Sequence, residues 1–250
     1  MATQLSRREY LEAGTALAHA IVEAGACRRF SVSERDGRHE ARSAEDEWVA
    51  GLPADFEYRS HRVKVITESP EHGWTAGGRF WCDFALEWAG HRFFYNFKYG
   101  AGKTKDNVGG LEALGYLLGV PMANAYRAKR MSEPALRDAL LKVLAGEVEF
   151  HEHREYFCLH YNKGAADKSF LERFRCLPLT AIHPEDVYVN AANGLQVCFP
   201  TARLAANPPS QKEAAEQIMR YLRNYFKKRA ATYLEILKAE EELERATENR

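Results

Sequence analysis

The 250 residues of this chain are enough to bury a sizeable core, in one elaborated domain or in one domain with a helical extension. With 46% hydrophobic and 28% charged residues the composition is that of a soluble globular protein, and the net charge of zero argues against nonspecific nucleic-acid binding by the whole surface. No apolar run approaches the roughly 18 residues that span a bilayer, and the N-terminus has no signal-peptide pattern, so we expect a cytoplasmic protein without membrane contact.

Two helices are predicted near the N-terminus. Residues 5–25 carry apolar or small side chains at a helical period and end at Gly25, which is typical of a packing helix. Asp36–Gly37 indicates a turn. Ser43, followed by acidic residues, predicts the N-cap of a short helix that ends near Leu52–Pro53.

The segment from Phe80 to Asn107 has the clearest pattern in the chain. Two aromatic-rich stretches meet at Ala89–Gly90, which predicts two antiparallel strands joined by a short turn. If the residues that flank the turn face one another, paired residue numbers sum to 179. Asp83 then lies opposite Asn96, with Cβ atoms about 4.5 to 5.5 Å apart.

This register divides the hairpin into two faces. One face is apolar and is expected to belong to the core: Phe84, Leu86, Trp88, Phe93, Tyr95 and Phe97, with His91. The other face is expected to carry chemistry: Asp83, Glu87, Arg92, Asn96 and Lys98, with Ala85 and Phe94. A carboxylate, an amide oxygen and an ammonium on one side would bind a divalent metal and a phosphate together. The alternative is a solvated face with an Asp–Lys pair.

Further elements are predicted on either side of the hairpin. They are a strand over residues 61–67, helices over 110–119 and 132–146, a strand over 120–130, an interior strand over 155–161, and hairpin strands over 187–189 and 195–199. The compact part ends at residues 207–210, and a long helix begins at Gln211. The middle of that helix is basic, and we expect it to lie along DNA, to form a dimer contact or simply to be solvated.

The positions of Asp83 and of Asn96-Phe97-Lys98 resemble the PD-(D/E)xK nuclease signature, in which an Asp on one strand faces an acidic-x-Lys triplet on the next. The run from Gly102 to Asn107, Gly-Lys-Thr-Lys-Asp-Asn, resembles a subset of type II restriction endonucleases with Asn-x-Lys in the triplet. The resemblance covers residues 60–200. It implies a restriction-endonuclease-like α/β fold, a mixed β-sheet flanked by helices. We expect a nuclease domain over residues 1–209 and a helical extension over 210–250 packed on the same domain.

The resemblance also implies a function: a Mg²⁺-dependent, sequence-specific endonuclease that cuts double-stranded DNA. It would act as a homodimer on a palindromic site, in the prokaryotic cytoplasm, beside a cognate DNA methyltransferase. Asp83, Asn96 and Lys98 would be catalytic, and Asp83, Asn96 and the carbonyl of Phe97 would hold the metal.

Asn96 stands where the family has an acidic residue, so the site is one negative charge short. Another carboxylate would complete the metal shell, and the sequence leaves the choice open among Glu45, Glu47, Glu68, Glu71, Glu87 and Asp106. In the second predicted helix such acids more often complement the helix dipole.

Basic residues are concentrated beside the proposed site, where a phosphate backbone would require them. The expected backbone contacts are Lys103, Lys105, Asn107, Arg127 and Lys129, although Asp106 and Asn107 would equally cap a helix. The expected base contacts are Asn190, Asn193, Gln196 and Arg203, because Asn and Gln bind adenine and Arg binds guanine. Asn193–Gly194 is equally a turn dipeptide.

Two other functions are consistent with parts of the sequence. Gly102-Lys103-Thr104 matches the end of a nucleotide-binding P-loop, which would make the protein an NTPase. That motif needs a glycine five residues before Gly102, where this chain has Phe97, so the nuclease interpretation fits better. A non-catalytic DNA-binding module with a degenerate nuclease site is the other alternative.

Overall fold

A six-stranded mixed sheet flanked by helices forms the centre of the computed structural model, as the sequence predicts. The structure describes residues 5–25, 30, 37–68, 82–101, 105–107, 113, 116–118, 138, 141–142, 145, 147, 153–190 and 194–248. The long helices are α1 (Arg7–Ala24), α2 (Gly37–Ala50) and α3 (Gln211–Glu248). The strands are β1 (Asp55–Tyr58), β2 (His61–Ile66), β3 (Phe84–Trp88), β4 (His91–Gly100), β5 (Lys105–Asn107), β6 (Tyr156–Asn162), β7 (Phe174–Pro178), β8 (Val187–Asn190) and β9 (Gly194–Cys198).

The main sheet has the strand order β1-β2-β3-β4-β6-β7. Neighbouring strands are antiparallel except β4 and β6, which run parallel. A parallel pair needs a long crossover connection, and the chain from Gly100 to Tyr156, which includes β5, provides it. A smaller antiparallel sheet has the order β5-β9-β8.

The predicted register of the β3–β4 hairpin is confirmed, from Phe84 opposite Tyr95 to Trp88 opposite His91. Its turn residues, Ala89 and Gly90, have φ values of 50° and 83°. Positive φ at both central residues is the type I′ pattern, whose twist matches that of the flanking strands. The short turn therefore fixes which residues of β3 and β4 face one another.

Both faces of this hairpin are packed, so the expectation that only one of them belongs to the core is wrong. Phe84, Phe93 and their neighbours pack with Tyr10 of α1 and Trp48 of α2. On the other face, Ala85 packs in a second apolar cluster that includes residues of α3. Helices α1 and α2 therefore cover one face of the hairpin, and α3 contributes to the cover of the other. Polar side chains remain only toward the two ends of the hairpin.

Helix α1 begins and ends as the sequence predicts. Ser6 and Glu9 form a capping box, and the backbone N–H of Gly25 donates to the carbonyl of Ile21. Inside the body, the guanidinium of Arg7 lies 2.6 Å from the carboxylate of Glu155, and this ion pair is buried. It fixes the start of α1 to the start of β6.

Helix α2 begins earlier than predicted. It starts at Gly37, so the predicted turn at Gly37 and the predicted N-cap at Ser43 are wrong, and Ser43 lies inside the helix. Tertiary contacts account for the longer helix, because Glu40 forms an ion pair with Lys163 at 2.6 Å, just after β6. Strand β1 was not predicted, since Arg59–Ser60 form its turn to β2 with positive φ but without glycine.

The interior strand at 155–161, the hairpin over residues 187–199 and the long helix from Gln211 are confirmed as β6, as β8 with β9, and as α3. Several residues within the two predicted central helices are helical: Ala113, Tyr116, Leu117, Asp138, Leu141 and Lys142. The strand predicted over 120–130 lies outside the described residues. The division at residue 209 stays a prediction. No helix in the described part of the chain is long and apolar enough to cross a membrane.

Candidate active site

Strand β4 continues past the point where β3 begins, and Asp83 directly precedes β3. The backbone N–H of Asp83 donates to the carbonyl of Tyr95 at 2.9 Å. The carboxylate Oδ2 of Asp83 then accepts the backbone N–H of Phe97 at 2.7 Å. The carboxylate of Asp83 therefore accepts the hydrogen bond from Phe97 that a further residue of β3 would accept in a longer strand. The side chain lies against the Asn-x-Lys triplet, as predicted.

The carbonyl of Phe97 faces the same side as Asp83. In an antiparallel ladder the N–H and C=O groups of one residue point toward the same neighbouring strand. Since the N–H of Phe97 points to the carboxylate of Asp83, its carbonyl oxygen is directed to the same edge of β4. Two of the three expected metal ligands are thereby brought to one place.

Asn96 has the property expected of the third ligand. Its side chain is 8% exposed, and its Oδ1 is buried with no hydrogen-bond partner among the described residues. A hydrogen bond joins the Asn96 side chain to the hydroxyl of Tyr156 on the neighbouring strand β6. An unpartnered buried oxygen costs about 1–3 kcal/mol. A cation at Oδ1 would remove that cost, so the donor set of Asp83, Asn96 and Phe97 fits Mg²⁺, which prefers oxygen ligands.

Lys98 lies beside this oxygen set and contacts α2. Its Nζ is 3.6 Å from Oε1 of Glu45, and both side chains are largely buried. The contact follows from packing: Trp48 stacks on Phe97 with ring centroids 4.5 Å apart, and Glu45 lies three residues earlier on the same side of the helix. Glu45 is thus the upstream carboxylate that the structure brings to the triplet.

Burial of its side chain raises the pKa of Asp83 above the usual range. The ammonium of Lys98 and the hydrogen bond from Phe97 act in the opposite direction, while Asp46 on α2 adds to the rise. Burial outweighs the stabilisation from these neighbours. A divalent cation would supply the missing positive charge and lower the pKa of Asp83.

Glu87 does not reach the site. It forms an ion pair with Arg92, its predicted partner across the hairpin, and lies four residues from Asp83 along β3, or about 13 Å. Glu47 lies on α2 two residues after Glu45, which places it about 200° around the helix. The two expected candidates are therefore less well placed than Glu45.

Glu68 is at the correct end of the sheet. Ile66 and Ala85 form the last pair of β2 with β3. Glu68 lies two residues after Ile66 and Asp83 lies two residues before Ala85, so both follow this last pair at the same end of the sheet. The side chain of Glu68 is exposed there. Asp106 lies in β5, and Glu71 lies outside the described residues. Within the described ranges no group of three His, Cys, Asp or Glu side chains is placed to hold a metal, so the amide and the main-chain oxygen are essential to the proposed site.

The expected DNA contacts are scattered over the described and undescribed parts of the chain. Lys103, Arg127, Lys129 and Asn193 lie outside the described residues, as does the Gly102–Thr104 run of the NTPase alternative. Lys105 and Asn107 lie in β5, which pairs with β9, and Asn190 ends β8. These DNA contacts stay predictions.

Of the expected base contacts, Gln196 is buried and Arg203 is held by two carboxylates. Gln196 on β9 is 8% exposed, so its amide does not reach a base edge in this conformation. The guanidinium of Arg203 lies 2.9 Å from Glu185 and 3.1 Å from Asp186, and both contacts hold it against the 3₁₀ turn before β8. Base reading by Gln196 and Arg203 therefore stays a prediction, which would require both side chains to leave these surroundings.

His160 lies beside Lys98 and was not expected at the site. The two residues are paired across β4 and β6, and the ring of His160 stacks on Phe199 with centroids 4.2 Å apart. Its Nε2 is buried without a partner among the described residues. No local sequence signal marks it, because the pairing of β4 with β6 joins residues that are far apart in the chain.

Comparison with known proteins adds no assignment to this geometry. No protein-family model matches the chain, and no curated protein matches it.

Proposed function

We propose that this protein is a Mg²⁺-dependent endonuclease of the type II restriction kind, which hydrolyses phosphodiester bonds in double-stranded DNA. One observation carries the proposal. The carboxylate of Asp83, the unpartnered buried oxygen of Asn96 and the side chain of Lys98 all belong to the same end of the β3–β4 hairpin. These residues resemble the set of the nuclease signature, with Asn96 in place of its first acidic residue.

The proposed metal ligands are Asp83 Oδ2, Asn96 Oδ1 and the carbonyl oxygen of Phe97. Bound there, Mg²⁺ would lower the pKa of a coordinated water and offset negative charge on the phosphate. Only one of these three ligands is charged. We therefore expect weaker metal binding than in a site with two carboxylates, and a need for millimolar Mg²⁺ or for help from the DNA phosphate.

Lys98 has two proposed roles that its ammonium performs directly. It stabilises the charge that develops on the phosphate oxygens, and it orients the attacking water by a hydrogen bond. In the reaction the water oxygen forms a bond to phosphorus and loses a proton to the solvent, the bond from phosphorus to the leaving oxygen breaks, and that oxygen takes up a proton from the solvent. Glu45 holds the ammonium of Lys98 at the edge of the site and is a positioning residue in this proposal.

The remaining parts of the proposal depend on the family resemblance. A homodimer would place two such sites on a palindromic sequence, because two-fold protein symmetry matches two-fold DNA symmetry. In a prokaryotic cell a cognate methyltransferase would protect the host DNA at that sequence.

The test is cleavage of long DNA of known sequence in the presence of Mg²⁺. We expect discrete fragments with the wild-type protein and none with Lys98→Ala or Asp83→Asn. Lys163→Ala is the matched control, since Lys163 also pairs with a glutamate of α2 but lies outside the triplet. Glu87→Gln is a second control. Glu87 lies on β3, the strand from Phe84 to Trp88 that contributes to the core. Both controls should cut normally.

Other outcomes assign the protein elsewhere. Nucleotide hydrolysis without DNA cleavage would support the NTPase alternative. Tight DNA binding without cleavage under Mg²⁺ or Mn²⁺ would support a non-catalytic binding module. Either result would overturn the proposal.

A further inference from the structure

The second half of α3 extends away from the body of the protein. From Ala230 to Glu242 every residue is exposed, whereas Ala215, Ile218 and Tyr225 in the first half are buried in the apolar cluster beside β6. The exposed half carries large apolar side chains: Tyr233 is 53% exposed, Leu234 58%, Ile236 57% and Leu237 52%. Such a group of exposed apolar side chains marks an interaction surface.

One exposed stripe of α3 has the spacing of a coiled-coil seam. Its residues follow one another at intervals of four and three: Arg223, Lys227, Ala230, Leu234, Leu237 and Glu241. All six are exposed. The stripe is about 28 Å long, and it lies on a different side of the helix from the buried residues of the first half. We call these six residues the α3 seam.

The charges along the α3 seam change sign from one end to the other. Its start is basic, with Arg223 and Lys227, and residues 220–229 contain no acidic residue. Its middle is apolar. At its end Glu240, Glu241 and Glu242 follow in succession, and Arg245 forms an ion pair with Glu241 at 3.4 Å, so acidic residues outnumber basic ones there. A surface that is basic, apolar and acidic in this order is complementary to itself when a second copy runs in the opposite direction.

We propose that two copies of this protein associate through the α3 seam as an antiparallel helix pair related by a two-fold axis near Leu234. The apolar centre of each seam would cover that of the other copy, and each basic end would meet the acidic end of the other copy. A parallel pair would instead place like charges side by side, which is unfavourable. A closed two-fold contact of this kind leaves no surface open for further copies.

Exposure of Arg223 and Lys227 also suits DNA, but the seam as a whole does not. Its acidic end would repel a phosphate backbone, and its apolar centre would stay exposed to water. Only a partner with an acidic end, an apolar centre and a basic end is complementary to all three parts of the α3 seam. A second copy of the same helix has that composition.

The test is sedimentation equilibrium of the full-length protein without DNA or metal, so that its outcome is independent of the nuclease proposal. We expect a dimer for the wild type and at least a 30-fold increase in the dissociation constant for Leu234→Glu. Ile236→Glu is the matched control. Ile236 is as exposed as Leu234 but lies about 200° around the helix, outside the seam, so this variant should remain dimeric.

Charge reversal tests the antiparallel direction. Arg223→Glu with Lys227→Glu should weaken the dimer, and Glu240→Lys with Glu241→Lys should weaken it as well. The variant with all four changes should recover most of the wild-type affinity, because its seam is again complementary to an antiparallel copy. Helix content by circular dichroism should be the same in every variant, since all the changed side chains are exposed.

Three results would overturn the proposal. They are a monomeric wild type at tens of micromolar, a dimer that tolerates Leu234→Glu, and a four-residue variant that is weaker than either parent. A monomeric wild type whose DNA binding is lost in Arg223→Glu with Lys227→Glu would assign the basic part of α3 to DNA instead.

Discussion

The carboxylate of Asp83 accepts the backbone N–H of Phe97 at 2.7 Å, one residue after Asn96 and one before Lys98. This contact has two consequences. It completes the hydrogen bonding of β4 where β3 has ended, and it holds a carboxylate whose pKa is raised by burial beside the Asn-x-Lys triplet. Because Asp83 has a structural role and a proposed chemical role, the two require variants that separate them.

Asp83→Asn separates the two roles. The asparagine retains an acceptor oxygen for Phe97 but cannot become a carboxylate. Because the folded-state pKa of Asp83 is raised, its ionised form lowers the stability of the metal-free fold at pH 7. We expect Asp83→Asn to unfold at an equal or higher urea concentration than wild type at pH 7 and to have lost DNA cleavage.

The pH dependence follows from the direction of the shift. As the pH falls through the raised pKa, Asp83 becomes neutral in the folded state, and below the ordinary value of 3.8 it is neutral in the unfolded state as well, so the advantage of Asp83→Asn should shrink over this range and then vanish. Asp83→Ala is the comparison, because it leaves the Phe97 N–H without a partner at a cost of about 1–3 kcal/mol. A strongly destabilised Asp83→Asn protein would contradict this account.

The part of the site that sequence predicts is the part fixed by local structure. The Ala89–Gly90 turn determines the pairing of β3 with β4 as far as Phe84 and Tyr95, so the approach of the next residue, Asp83, to the Asn-x-Lys triplet follows from local structure. The positions of Glu45 and His160 depend instead on tertiary contacts. Glu45 is placed by Trp48 on Phe97, and His160 by the parallel pairing of β4 and β6.

The same distinction explains the outcome for the fold. The long helix α3 has a strong periodic pattern and the interior strand β6 is apolar on both faces, so both were predicted correctly, whereas the mixed sheet was expected from the family resemblance. The start of α2 and the strands β1, β5 and β7 were missed. The start of α2 depends on a tertiary contact, the ion pair of Glu40 with Lys163. Strand β1 depends on a turn in which Arg59 and Ser60 have positive φ, a conformation that residues other than glycine rarely adopt.

Glu45→Gln should reduce cleavage without abolishing it. Its Oε1 lies 3.6 Å from the ammonium of Lys98, so the neutral amide removes the charge that positions Lys98. Loss of a positioning residue typically costs about 10- to 100-fold in activity. We expect the loss in kcat, measured by single-turnover cleavage, with DNA affinity unchanged. Glu40→Gln, which affects the Lys163 pair on the same helix, should cut at the wild-type rate.

If Glu45→Gln cleaves normally while Glu40→Gln does not, the result would contradict the proposal that Glu45 positions Lys98 and would show that cleavage depends on Glu40 instead. A complete loss of Mg²⁺ binding in Glu45→Gln would show that Glu45 is itself a metal ligand. Isothermal titration with Mg²⁺ in the absence of DNA distinguishes that case from a change in positioning alone.

His160 should make folding stability depend on pH in mildly acidic solution. Burial, together with the nearby Arg175, lowers the pKa of His160 to about 4, from the ordinary value of 6.5. The unfolded chain therefore takes up a proton as the pH falls below 6.5 while the folded protein does not. Stability should decrease from pH 6.5 toward pH 4, by up to about 3 kcal/mol from this residue.

The measurement is urea unfolding at pH 7, 6 and 5. His160→Gln should be less stable at pH 7, because it loses the stacking contact with Phe199, but its stability should change less with pH. His61→Gln is the control, since His61 is exposed on β2 and should retain the wild-type slope. An equal slope in His160→Gln and wild type would show that another group is responsible.

Gly14→Ala should destabilise the protein from within α1, away from the proposed site. A Cβ atom at position 14 would lie 2.6 and 2.7 Å from Cε1 and Cε2 of the Phe157 ring, closer than real Cβ contacts allow. The carbonyl of Gly14 also accepts the hydroxyl of Tyr95 at 2.8 Å, so α1 cannot move outward without losing that hydrogen bond. Overpacking of this kind typically costs about 1–3 kcal/mol.

The close approach of α1 to the sheet can be tested by compensation. Phe157→Leu alone should destabilise the protein by leaving a cavity, but combined with Gly14→Ala it should cost less than the sum of the two single changes. Thermal unfolding of the four proteins gives this coupling directly. Strict additivity would mean that the α1 backbone and the Phe157 ring are not in contact, and that the packing of α1 on β6 differs from the structure.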